Sequence, residues 1–156
     1  MEPAWGASWI AGLVLITLTT GLHAFGVVMI YLALMRRVRS GSIQAWHDRH
    51  PIVQAVSLVA VVGLLLTVLH GIEAGIWMLA YQALGAIDSE RDAMLYSLDS
   101  FTTRGAADVV LTPQWRLLGA LEAADGMLLF GISTAFVFAV FQRVIEVMDR
   151  DDNARR

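Results

Sequence analysis

The chain has 156 residues, 57% of them hydrophobic, and a formal net charge of −3; its mean hydropathy of +0.62 accompanies an apolar content above the roughly 45–50% of soluble domains. The eleven basic residues are all arginine and form no single stripe, which excludes the footprint of a nucleic-acid binder. The absence of cysteine excludes disulfides and thiolate metal sites.

The opening residues Met1-Glu2-Pro3-Ala4-Trp5 lack the basic n-region of a cleavable signal and lead into an apolar run too long for one. Ser8 to Met35 predicts a first membrane span, because a hydrocarbon core takes roughly 20 apolar residues with some tilt. Trp5 and Trp9 stand at its start, where indole rings favour the interface. The loop from Arg36 to His50 sets Arg36, Arg37, Arg39 and Arg49 against the single acid Asp48. The positive-inside rule makes this loop cytoplasmic and the N-terminus external. Residues 1–50 thus form one span and its basic loop.

Pro51 suits the first position of a second helix, predicted over 51–83. Trp77 and Tyr81 are read as markers of its outer interface. The loop Gly85–Asp92 then lies outside. Asp88 or Ser89 caps a short helix over 89–101, with Asp92 in a capping-box arrangement after Ser89. Twelve residues from Glu90 to Phe101 measure about 18 Å, half a bilayer. Thr112 and Pro113 restart the chain as cap and first residue of a third helix, 113–149, whose span ends near Gln142. Residues 150–156 are read as a frayed cytoplasmic tail. The lysine-free, Ala/Leu/Val/Arg-rich composition is associated with GC-rich bacterial genomes, and the location expected is a bacterial inner membrane.

Ionisable residues inside spans are functional hypotheses by default. His70 and Glu73 share one face of the second span, and His23 lies midway down the first. Two histidines and a carboxylate bind zinc, relay protons near neutral pH, or simply hydrogen-bond and pack the second span against the short helix. The last is the expectation, with no metal and no cofactor. Glu122 and Asp125 repeat the i,i+3 spacing on the third span. They either line a lumen, or one or both turn toward Arg104 or the short helix. Gly126 and Gly131 serve as a hinge or for close helix packing. Phe136, Phe138 and Phe141 form either a hydrophobic gate or a lipid-facing group, and Arg116 is read as interfacial.

The stretch Ala93 to Asp108 is too short and too polar to span, yet an apolar segment flanks it on each side. Its end, Thr102-Thr103-Arg104-Gly105-Ala106-Ala107-Asp108, resembles the re-entrant pore loop of the potassium channel family, with its T-T-V-G-Y-G-D filter. The segments Trp115 to Ala123 and Leu128 to Gly131 are also similar to small bacterial three-span members. The resemblance covers Leu69 to about Phe141. It implies an all-α membrane protein with three transmembrane helices, a re-entrant pore helix and a filter loop, closed as a homotetramer that passes monovalent ions through the bilayer.

The filter departs from the family at three positions. Ala107 replaces a glycine that reaches positive φ without steric cost. Ala106 replaces the bracing tyrosine, and Arg104 replaces valine. If Arg104 faces the axis, a ring of guanidinium groups favours anions; if it points backward it needs a partner, with Asp99 first and Glu122 or Asp108 second. The expectation is a nonselective cation pore, since Asp108, Glu122 and Asp125 outnumber Arg104. The alternatives are an anion pore and a non-conducting modulatory subunit with a collapsed filter. A membrane enzyme or metal protein built on His23, His70 and Glu73 is the remaining reading. No nucleophile–base pair or metal motif supports it, and the expectation is that the chain is not an enzyme.

Overall fold

The structure is a computed structural model, and it describes residues 3–39, 51–105 and 109–154. Most of the basic loop, 40–50, and the filter positions Ala106, Ala107 and Asp108 lie outside the described residues.

Four α-helices follow one another: α1 (Pro3–Arg39), α2 (Pro51–Ala83), the short α3 (Glu90–Phe101) and α4 (Arg116–Ala154). Among the described residues there is no strand. Trp5–Arg36, Ile52–Ala83 and Pro113–Glu146 are long and apolar enough to cross a membrane, so the chain is a helical membrane protein. Ile10, Val14, Leu18, Val56, Leu64, Val68 and Met127 are all exposed. In water such surfaces are a liability; against lipid they are the solvent-matched face.

The helix ends follow from local chemistry. Ser89 caps α3 by accepting a hydrogen bond from the Asp92 amide. α2 closes in a Schellman motif: Gly85 takes φ +62, its amide bonds the Gln82 carbonyl, and the Ala86 amide reaches back to Tyr81. Two boundaries differ from the sequence reading. Pro113–Trp115 form a 3₁₀ turn before α4, and the Thr112 side chain makes no capping bond. α4 also runs on to Ala154 instead of stopping at Asp149. No glycine or proline follows Gly131 to break it, and Arg143 and Glu146 pair one turn apart at 2.8 Å.

The chain divides into two packing units, and each is described by itself. One comprises residues 25–68 and 132–156. Its core is small and aliphatic: Leu34, Val62, Leu66 and Val140, with Val27, Ile30, Leu58 and Phe136 against them. Phe138 and Phe141 are exposed, so the three phenylalanines do not converge on one gate within the protomer.

The other unit comprises residues 1–24 and 69–131. In it α3 folds back antiparallel along α2. The Tyr96 ring meets Tyr81 at 5.2 Å, Ser97 Oγ donates to the Ala74 carbonyl at 2.7 Å, and Phe101 meets His70 at 5.7 Å. His70 is thirteen residues, about 20 Å of helix, before the end of α2. After Phe101 the chain returns. Trp115 Nε1 donates to the Leu84 carbonyl at 3.1 Å, and Ser8 Oγ to the Gln114 carbonyl at 2.6 Å, back at the level where α2 ended.

Glycines permit this close fit. A Cβ at Gly126 would strike the Phe101 carbonyl, one at Gly119 the Tyr96 hydroxyl, and one at Gly12 the Leu121 side chain. Gly131 has open space around its Cβ position. Backbone gives way less readily than a side-chain tip, so Gly126→Ala should destabilise the detergent-solubilised protein by about 1–3 kcal/mol, with Gly131→Ala close to neutral. Thermal midpoints of the two variants check this; equal midpoints would remove the packing role of Gly126.

Candidate functional site

Two features stand out in the unit that holds α3. One is the turn that ends it. The other is a column of polar side chains between α1, α2, α3 and α4.

The turn is a second Schellman motif. The Thr103 amide bonds the Ser100 carbonyl at 2.8 Å and the Arg104 amide bonds the Asp99 carbonyl at 2.8 Å, with Gly105 adding a third donor at 3.2 Å. Thr103 occupies the left-handed position at φ +60, and Gly105 has φ +78. Glycine normally fills that position, and a β-branched residue is an outlier there. Arg104 is tied to Asp99 twice, by its amide and by its guanidinium, whose Nη2 lies 2.8 and 3.0 Å from the two carboxylate oxygens.

The Arg104–Asp99 pair expected from the sequence is therefore formed, but not in a buried setting. Arg104 is 74% exposed and Asp99 19%. Thr102 and Gly105 are exposed as well. The helix C-terminus explains the pairing, since its unsatisfied carbonyls carry partial negative charge that draws a cation.

The polar column is buried except at His70, whose side chain is 12% exposed. Glu122 accepts from Tyr81 Oη at 2.5 Å and lies 2.5 Å from Ser97 Oγ. Ser97 has one hydroxyl proton, which the Ala74 carbonyl at 2.7 Å also claims. Asp125 Oδ2 meets Thr19 Oγ1 at 2.6 Å and Trp77 Nε1 at 3.1 Å, while its Oδ1 is buried without a partner. Glu73 completes the column: Oε1 lies 2.9 Å from His23 Nδ1 and Oε2 3.1 Å from His70 Nδ1. The two imidazoles stack at 5.1 Å, and Phe101 and Phe130 wall the outer side of His70.

Several sequence expectations change on this geometry. Of the two readings of Glu122 and Asp125, the inward one holds and the lumen-lining one does not: both are buried, Glu122 meets Ser97 of the short helix, and Asp125 meets α1 and α2. Trp77 and Tyr81 are not interface markers, since both are 0% exposed and donate to buried carboxylates. Arg116 is exposed at the start of α4. His70 and Glu73 do pair and pack against the short helix, and His23 joins them. Thr19 and Ser97 were missed. Thr19 carried a signal, since it precedes His23 at i−4, and so did the inward role of Trp77 and Tyr81, which follow Glu73 at i+4 and i+8, so that each shares a face with a polar residue. Ser97 carried no such signal.

Comparison with protein-family models, with characterised proteins and with solved structures found no match to this chain.

Removing the Tyr81 hydroxyl leaves a buried carboxyl oxygen short of its donor, so Tyr81→Phe should cost about 1–3 kcal/mol of stability. The loss should shrink when Glu122→Gln is already present, giving a coupling energy of about 0.5–3 kcal/mol in a double-mutant cycle. Additive losses would mean that the two side chains do not act together. Thr103→Gly relieves a left-handed conformation and should raise stability by about 1 kcal/mol. A destabilised Thr103→Gly protein would show that the turn is held in another conformation.

Proposed function

We propose that the chain is one subunit of a pore-loop ion channel, with α3 as the pore helix and residues 102–108 as the lining of its narrowest part. The observation that carries this reading is the path of the chain from Ala83 to Trp115. A twelve-residue helix runs back along α2 to the level of His70, turns at Thr102–Gly105, and returns to the level of Leu84 and Ser8.

In a bilayer this path brings a non-helical turn to about half the membrane depth. Backbone there is tolerated only where protein shelters it or water fills a cavity. Residues 102–105 and Val110 are exposed in a single copy, and Leu95 and Leu98 leave one side of α3 uncovered. Further copies around an axis supply the missing shelter, and a homotetramer is the arrangement we propose. The C-terminal end of α3 then points its partial negative charge at that axis, a setting that favours cations. With Arg104 neutralised by Asp99 the guanidinium does not impose anion selectivity, so a nonselective pore for monovalent cations is the favoured form. The basic loop after α1 puts the N-terminus outside and the C-terminus in the cytoplasm, in the inner membrane of a bacterium.

One observation favours a second reading. Arg104 and Gly105 spend their amides on the Asp99 carbonyl, which closes the helix end into a cap instead of extending it into a filter strand. A non-conducting, modulatory subunit follows from that closure.

Flux into liposomes holding the purified oligomer, under separate potassium, sodium and chloride gradients, tests both. Cation flux without chloride flux is the expected result. Asp99→Asn releases the guanidinium and should raise chloride permeation relative to potassium, while Arg104→Val with Ala106→Tyr and Ala107→Gly should move selectivity toward potassium. No flux from a verified tetramer would sink the conducting reading and leave the modulatory one.

A further inference from the structure

We propose that His23, His70 and Glu73 form a binding site for a divalent transition-metal ion of the zinc class, held inside the protomer between α1 and α2. This site is separate from the turn at the end of α3 and does not depend on whether the protein conducts.

The donor set comes first. Two imidazoles and a carboxylate are ligands that zinc, cobalt and nickel accept readily. His70 and Glu73 stand one turn apart on α2, and His23 reaches them from α1, so the ion would join two helices that are distant in sequence. One ligand atom from each of the three residues lies within 4.8 Å of the others. The Nδ1-to-carboxylate separations are 2.9 and 3.1 Å. In a tetrahedral site with metal–ligand bonds of about 2.0–2.2 Å, neighbouring donors sit roughly 3.3–3.5 Å apart. Shifts of a few tenths of an ångström convert those two contacts into ligand edges.

Charge points the same way. Glu73 is wholly buried, and the groups that face it are the two histidines. Asp125, equally buried, lies within electrostatic range of both Glu73 and His23. These carboxylates lie where an uncompensated charge is costly, and a divalent ion is a partner such a place can hold. A hydrogen-bonded His–Glu–His set alone would account for the 2.9 and 3.1 Å contacts. What goes beyond such a set is that one ligand atom from each of the three residues converges to within 4.8 Å of the others. The surroundings also suit a metal, because the Phe101 and Phe130 rings pack against His70 and hold its orientation.

The expected consequence is mechanical. A bound ion would pin α1 to α2 and set the wall on which Phe101, the last residue of α3, rests.

The test uses the full-length protein in detergent, stripped with a chelator and re-equilibrated with zinc or cobalt alone. Metal content is read by elemental mass spectrometry, and ligand geometry by the visible absorption of the cobalt form. About one ion per chain is expected, with the intense absorption of a four-coordinate cobalt site. His23→Gln and His70→Gln should each weaken binding about 100-fold or more, and Asp125→Asn, which changes charge without removing a ligand, about 10-fold. Glutamine keeps a hydrogen-bonding side chain of similar length, and far-UV dichroism with the metal-free thermal midpoint verifies that each variant is folded. Wild-type protein that takes up no metal while folded would overturn the proposal. So would metal content that is unchanged in both histidine variants.

Discussion

Lipid offers no hydrogen bonds, and that single constraint organises the interior of this protein. Three carboxylates, two imidazoles, a phenol, an indole and two hydroxyls sit among membrane-spanning helices. Each must find its partners inside the protein, because an unsatisfied polar group in hydrocarbon costs several kcal/mol. The solution is a column in which each helix completes what another begins. α4 supplies Glu122 and Asp125, α2 supplies the donors Tyr81 and Trp77 together with Glu73, and α1 supplies Thr19 and His23. Van der Waals packing alone discriminates weakly between helix registers in a bilayer, since lipid tails are as apolar as leucine. Directional bonds to Glu122 and Asp125 discriminate strongly.

The short helix depends on the same column. Ser97 links α3 to both neighbours at once, through the Ala74 carbonyl on α2 and the Glu122 carboxyl on α4. Gly126 then lets the Phe101 carbonyl rest on α4, where any side chain would keep it away. With the top of α3 capped by Ser89 and its foot held this way, the turn that follows is delivered to one place. Strain is tolerated there. Thr103 sits in a conformation worth about 1–2 kcal/mol to a non-glycine residue, and the two ties between Arg104 and Asp99 hold it shut. Backbone strain of this kind collects at functional positions when the surroundings over-determine it.

Much of this architecture was legible in the amino-acid order. Spans of 20 or more apolar residues, ended by the Arg36–Arg37 pair or opened by Pro51, declare themselves because the hydrophobic thickness of a bilayer is a length that sequence can be measured against. Ser89 and Asp92 announced the short helix because capping is local chemistry, resolved within four residues. The pairing of His70 with Glu73 was readable for the same reason, as one turn of helix brings them together. Asp99 as the partner of Arg104 was also within local reach, five residues away.

What failed to show in the sequence is what depends on a second helix. Trp77 and Tyr81 near the end of a span look like interfacial anchors, and only the arrival of α4 converts them into donors to Asp125 and Glu122. Glu122 and Asp125 themselves read equally as cavity lining or as buried partners, because periodicity gives the spacing of a stripe but not the direction it faces. His23, fifty residues from Glu73, joins it through the approach of α1 to α2. The sequence by itself determined which segments are long and apolar enough to cross a membrane and which one is too short to do so. The tertiary structure alone decided which polar faces meet, because in lipid a polar face is satisfied only by whichever neighbour packing brings within 3 Å or so.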